Sequence, residues 1–83
     1  QAFLEEVASE SHSWWRDTEM RETLDMFFHL NLNVSETARQ LFLHRNSLIY
    51  RLDKLKQETG RDVRQFEEAM LIRLALLLTA KKI

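Results

Sequence analysis

Residues 33–60 constrain the fold most tightly, because they contain a repeat of leucines followed by the only glycine in the chain. Leu48, Leu52 and Leu55 are four and three residues apart, which places them on one side of a helix. Gly60 follows them and predicts the left-handed residue that ends this helix. The segment therefore predicts two helices of unequal length, the longer one second, joined by a three-residue turn.

The first helix of this pair is predicted over residues 36–42, with Ser35 as its N-cap. Ala38 is expected to face inward, because a small side chain lets the second helix cross nearby. Thr37 and Gln40 are expected to face outward. The second helix is predicted to start at His44 and to cover about 45–58. Its outward face, opposite the leucines, is expected to carry mainly polar residues: Asn46, Tyr50, Asp53, Lys54 and Gln57.

The segments before this pair are also predicted to be helical, since the chain has no proline and is rich in good helix formers. One helix is expected from a cap at Asp17 or Thr18 to about Leu30, and another over the first eleven residues. Trp14 and Trp15 lie between them. We interpret these tryptophans as a clamp on a small core rather than as a ligand site.

The last helix is predicted from about Gln65 to Lys82 and is apolar nearly all round. Such a helix has to be covered on more than one side. Either it runs through the centre of the domain, or the face containing Leu74 to Leu78 docks on a second subunit or on an upstream domain. The sequence leaves both arrangements open.

A chain of 83 residues has room for one domain with a modest core. We therefore expect a single all-α domain over residues 1–83, with a helix-turn-helix at 33–60 and a long leucine-rich C-terminal helix. Because the sequence begins without Met, we also expect it to be a fragment of a longer protein.

Charge is separated along the chain, although the net charge is only −1. Acidic residues outnumber basic ones from 1 to 30, and basic residues outnumber acidic ones from 31 to 64. The positive charge therefore falls on the two central helices, which supports nucleic-acid binding without requiring it.

Several classes of function lack the residues that they need. The histidines, His12, His29 and His44, are far apart, there is no cysteine, and a single glycine excludes a glycine-rich phosphate loop. We therefore expect no enzyme activity, no metal site and no cofactor. No apolar run reaches the ~18 residues of a membrane span, so we expect a cytoplasmic protein without a membrane partner. The residues favour DNA binding over a helical interaction module.

The string SETARQLFLHRNSLIYRL resembles the C-terminal DNA-binding domain of the purine-catabolism regulator and sugar-diacid regulator (PucR/CdaR) family of bacterial transcription factors. The resemblance extends over about Asp17 to Leu78. The spacing also resembles the factor-for-inversion-stimulation (Fis) type of helix-turn-helix. Family resemblance implies double-stranded DNA as a partner, an upstream regulatory domain in the same chain and, since one short helix covers few base pairs, a homodimer.

The resemblance also implies roles for individual residues. The implied base contacts, in the major groove, are Arg45, Asn46, Ser47 and Tyr50. The implied DNA-backbone contacts are Ser35, Thr37, His44, Arg51 and Lys54. His44 is expected to cap the second helix, contact a phosphate, or do both. Phe42 stands where many such motifs have glycine, so the turn is expected to avoid a positive φ there. Ile49 is expected to contact a thymine methyl or to pack against the protein.

Overall fold

A computed structural model describes residues 14–80, and the regular structure in this range is entirely helical. A 3₁₀ turn over Trp14–Arg16 precedes four α-helices. We name them α1 (Thr18–His29), α2 (Val34–Gln40), α3 (Arg45–Thr59) and α4 (Phe66–Thr79). The predicted all-α class is confirmed. The helix predicted for the first eleven residues lies outside the described range.

Helix α1 begins where a cap was predicted. The Asp17 carboxylate accepts hydrogen bonds from the backbone N–H groups of Glu19 and Met20, at 3.0 and 3.3 Å. These bonds satisfy two of the donors that a helix leaves unpaired at its start. At the other end the chain leaves α1 through Asn31 and Leu32, which both have positive φ.

Helix α2 begins two residues earlier than predicted, because Asn33 caps it instead of Ser35. The Asn33 side-chain oxygen accepts a hydrogen bond from the Glu36 N–H at 2.9 Å. Asparagine and serine cap helices about equally well, so the sequence alone did not decide between them. The prediction of Ser35 as the N-cap is wrong, and Ser35 lies exposed in the first turn of α2.

The turn between α2 and α3 closes through a left-handed residue, Phe42, with a φ of 57°. The Phe42 N–H donates to the Arg39 carbonyl at 3.1 Å, and the Leu43 N–H donates to the Ala38 carbonyl at 2.8 Å. This pair of bonds at a helix end requires a residue with positive φ. The prediction that the turn avoids a positive φ at Phe42 is therefore wrong.

Helix α3 has the predicted boundaries and the predicted inward face. His44 caps its start, and Gly60, with a φ of 74°, ends it in the left-handed conformation. Leu48, Leu52 and Leu55 are all 0% exposed. The leucine spacing therefore sets the rotation of α3 about its axis, and this rotation decides which side chains face solvent.

Residues from the beginning and from the end of the described range both belong to the core. Trp14 and Trp15 are almost fully buried, which confirms the structural interpretation of this pair. Arg21 fastens this region to α4, because its guanidinium donates to the carbonyls of Trp15, at 2.9 Å, and of Leu76, at 3.4 Å. Val63, in the connector between α3 and α4, is also fully buried.

The residues that the structure describes bury only one side of helix α4. Its inward face consists of Ala69, Ile72, Ala75, Leu76 and Thr79. Its outward face carries exposed apolar side chains, namely Phe66, Met70, Leu74, Leu77 and Leu78. Within the described range, α4 therefore lies at the edge of the domain and leaves an apolar face open.

Candidate nucleic-acid interface

The outward face of α3 brings most of the predicted base-contact residues together. Asn46, Ser47, Tyr50 and Lys54 line one wall of a groove between α3 and the start of α1. Tyr50 is 70% exposed, so its ring is available to a ligand. Arg45 is the first residue of α3 and is also exposed. These positions follow directly from the burial of the leucines on the opposite side.

His44 forms the predicted cap, and the geometry also defines the free side of its ring. Its Nδ1 accepts a hydrogen bond from the Asn46 N–H at 3.1 Å. In a neutral imidazole, an accepting Nδ1 leaves the hydrogen on Nε2. His44 is exposed, so this Nε2–H is able to donate to an anion while the cap stays in place. The predicted phosphate contact of His44 remains a prediction.

Most basic residues of the described range have partners there. Arg16 lies over the Trp15 ring, and Arg21 donates to the carbonyls of Trp15 and Leu76. The ion pairs are Arg39–Glu36, Arg51–Glu19, Arg61–Glu68, Arg64–Asp53, Arg64–Asp62 and Arg73–Asp25. Arg45, Lys54 and Lys56 make no hydrogen bond or ion pair with any residue between 14 and 80. All three lie exposed on α3. The positive charge left available to an anionic ligand is therefore concentrated on this helix.

The acidic residue on the outward part of α3, Asp53, has its charge compensated by the connector. Arg64 donates to Asp53 at 2.7 Å and to Asp62 at 2.8 Å. The hydrogen bond from Arg64 holds the pKa of Asp62 below its ordinary value, and Lys56 adds a weaker effect in the same direction. Arg64 therefore offsets part of the negative charge that Asp53 adds to this face. Nothing in the sequence indicated this pair, because Asp53 and Arg64 lie on different elements.

Arg51 has a different environment from the one implied for a DNA-backbone contact. Its guanidinium donates to the Thr23 hydroxyl at 2.8 Å and lies 3.3 Å from the Glu19 carboxylate. Both partners belong to α1, and the Arg51 side chain is only 23% exposed. Arg51 therefore connects α3 to α1. It also lines the groove that contains Tyr50 and Lys54, and its DNA-backbone contact remains a prediction.

Thr37 also lies in a different environment from the one predicted: it is 0% exposed and faces the interior. The prediction that it faces outward is wrong. Helix α2 contacts both α1 and α3, so the adjacent Thr37 and Ala38 are both covered. The Thr37 hydroxyl has no hydrogen-bond partner among the residues that the structure describes. Buried in this way, the hydroxyl is not available to a phosphate.

Replacing Thr37 with Val is expected to raise the free energy of unfolding by up to about 1 kcal/mol, because it removes a buried hydroxyl that has no partner. Denaturation in urea measures this change. Thr37→Ser is the control: it keeps the hydroxyl, removes a buried methyl group and should destabilise the domain. DNA affinity should not change in Thr37→Val. If Thr37→Val weakened DNA binding and Thr37→Ser did not, the hydroxyl would be a DNA contact after all.

The domain contains two helices joined by a tight turn, and the second helix exposes a polar and basic face. This arrangement defines a helix-turn-helix DNA-binding domain. The sequence profile of the PucR C-terminal helix-turn-helix domain matches residues 20–78, which is more than half of the chain. The chain therefore belongs to this family of transcription-regulator domains, as the resemblance predicted.

Individual relatives agree with this assignment. The chain is 38% identical over 60 residues to the purine catabolism regulatory protein of Bacillus subtilis, covering 72% of this chain and 11% of the relative. It is 36% identical over 63 residues to the carbohydrate diacid regulator of Escherichia coli, covering 76% of this chain and 16% of the relative. An uncharacterized Bacillus subtilis protein, YxkF, is 44% identical over 55 residues, covering 66% of this chain and 18% of the relative.

The chain thus spans less than a fifth of the length of these relatives. No solved structure matches it significantly. Among the helices between residues 14 and 80, none is long and apolar enough to cross a membrane.

Proposed function

We propose that this domain is the operator-binding part of a bacterial transcription regulator, with α3 in the major groove of double-stranded DNA. The observation that carries the proposal is the location of the unpaired cations, Arg45, Lys54 and Lys56, on α3 alone within the described range. Phosphates supply most of the affinity in protein–DNA binding, so free positive charge on the helix that enters the groove favours this docking.

The base contacts are assigned to Arg45, Asn46, Ser47 and Tyr50. An arginine can donate two hydrogen bonds to a guanine, and an asparagine can pair with an adenine, both at the major-groove edge. Ser47 is small enough to let the helix backbone approach the bases. Tyr50 lies about one turn further along α3 and reaches the next bases. Asn46, Ser47 and Tyr50 line one groove. Arg45 lies outside it and is exposed at the start of α3.

The DNA-backbone contacts are assigned to Ser35, His44 and Lys54. Ser35 is exposed in the first turn of α2, and the Nε2–H of His44 is free to donate. The opposite wall of the α3 groove contains Asp17 and Glu19, which carry negative charge. Both acids have partners within the domain, because Asp17 caps α1 and Glu19 lies 3.3 Å from Arg51. Lys54, on the α3 wall of the same groove, supplies the positive charge for a phosphate.

The assembly is a homodimer attached to an upstream regulatory domain in a cytoplasmic protein without catalytic activity. One recognition helix contacts too few base pairs for strong selectivity, whereas two copies can read two half-sites. The open apolar face of α4 supports self-association. The same face also supports a second candidate function, a helical interaction or dimerisation module that does not bind DNA.

The salt dependence of DNA affinity tests this function. The logarithm of the association constant should fall linearly with the logarithm of the salt concentration. Lys54→Gln should weaken binding to all sequences and reduce the magnitude of the slope by about 0.9, because one phosphate contact is lost. Arg73→Gln is the control, since Arg73 lies on α4 and pairs with Asp25. Equal slopes in Lys54→Gln and wild type would contradict this phosphate contact. Self-association without DNA binding would favour the second candidate.

A further inference from the structure

Phe42, in the turn before α3, combines two properties that its role in the fold does not explain. Its side chain is 95% exposed, the highest value among the large exposed apolar side chains of the described range. It therefore contributes almost nothing to the core. Its φ is 57°, in the left-handed region that side chains with a Cβ adopt at a cost.

The fold requires a positive φ at this position but does not require a phenyl ring. The hydrogen bonds from the N–H groups of Phe42 and Leu43 to α2 close the helix end through the backbone alone. Glycine would make the same bonds without the conformational cost. The backbone hydrogen bonds of the turn therefore give no reason for a phenyl ring at this position.

The location of Phe42 in the chain indicates which surface its ring contacts. Phe42 is three residues before Arg45, so their Cα atoms lie within about 11 Å of each other. If Arg45 reaches base edges at the start of α3, the turn lies over the same groove. The apolar group that a base edge presents in the major groove is the C5-methyl of thymine, and phenylalanine is one of the side chains that contact it.

We propose that Phe42 packs its ring on a thymine methyl group at the edge of the operator and so helps to determine specificity. The inference rests on the proposed function, because it places α3 in the major groove. Unlike the contacts of Arg45 and Lys54, this contact carries no charge. It should therefore change sequence preference without changing the salt dependence of binding.

Phe42→Gly has opposite expected effects on stability and on binding. The melting temperature should rise by about 4 °C, because glycine relieves the left-handed strain. Affinity for the operator should fall about fivefold, because a buried apolar contact is lost. His29→Ala is the control, since His29 is also an exposed ring but ends α1 and belongs neither to the α3 groove nor to the apolar face of α4. It should leave the DNA affinity unchanged.

A uracil scan of the operator completes the test, since deoxyuridine lacks only the methyl group of thymidine. At one thymine, replacement by uracil should weaken wild-type binding about fivefold and leave Phe42→Gly binding unchanged. If Phe42→Gly lowered affinity relative to wild type equally on thymine and on uracil DNA, the inference would be overturned and a sugar contact would be indicated. Unchanged affinity or a lower melting temperature in Phe42→Gly would also overturn it. Failure of the proposed function is distinguishable, because then the wild-type domain itself would not select an operator.

Discussion

Replacing Leu52 with alanine should lower the free energy of unfolding by about 3 kcal/mol. Leu52 is 0% exposed and lies at the centre of the inward leucine row of α3. Truncation removes its apolar contacts and leaves a cavity that the surrounding helices fill only in part. In a domain of this size the loss is a large share of the total stability. Urea denaturation followed by circular dichroism measures it.

Tyr50→Ala is the matched control for Leu52→Ala, because Tyr50 lies on the same helix two residues earlier and is 70% exposed. Its effect on stability should be within about 0.5 kcal/mol of zero. Comparable losses in the two variants would contradict the rotation of α3 described above. The assignment of Arg45, Asn46, Ser47 and Tyr50 to the exposed face of α3 would then be unsupported.

Replacing Arg45 with alanine should lower affinity for the preferred operator by roughly 10- to 100-fold, because an arginine–guanine pair contributes about 1–3 kcal/mol of discrimination. Affinity for unrelated DNA should fall much less. Arg45 is exposed at the first position of α3, and no residue of the described range pairs with it. Competition binding with operator and non-operator duplexes measures the ratio.

Arg45→Lys separates charge from geometry at this position. Lysine keeps the positive charge but loses the planar, two-pronged guanidinium. Specificity should therefore stay low in Arg45→Lys, while affinity for unrelated DNA returns towards the wild-type value. If Arg45→Ala weakened binding to all sequences equally, Arg45 would be a phosphate contact instead of a base contact.

The framework of the fold follows from local sequence signals. The leucine spacing in α3 predicted which face is buried, Gly60 predicted where the helix ends, and Asp17 was one of two predicted caps for α1. Each of these signals acts within one or two turns of a helix. Local hydrogen bonds and apolar periodicity therefore decide them without knowledge of the neighbouring helices.

The features that the sequence did not predict depend on contacts between distant residues or on competition between equivalent neighbours. Arg51 pairs with α1, 28 residues away along the chain, and nothing in α3 itself indicates this. Thr37 is covered because α2 lies against both α1 and α3. Asn33 and Ser35 are both good capping residues, and Asn33 forms the cap. Tertiary contacts decide which polar side chains stay free to meet a ligand.

The left-handed conformation of Phe42 bears on function as well as on the fold. The absence of glycine at this position predicted that φ would not be positive. The helix-end hydrogen bonds require that φ in spite of the side chain. Phe42 is exposed, has an unfavourable φ and lies three residues before Arg45, and together these features indicate a binding role more strongly than a phenylalanine in the sequence does.

The most direct test of operator recognition by α3 is the selection of bound fragments from a genomic pool at physiological salt. The wild-type domain should enrich fragments that share one sequence motif. A triple variant with Arg45, Asn46 and Tyr50 changed to alanine should keep the helical circular dichroism spectrum, because these side chains are exposed, and should lose the enrichment. Enrichment of the same motif by the folded triple variant would contradict recognition through this face of α3.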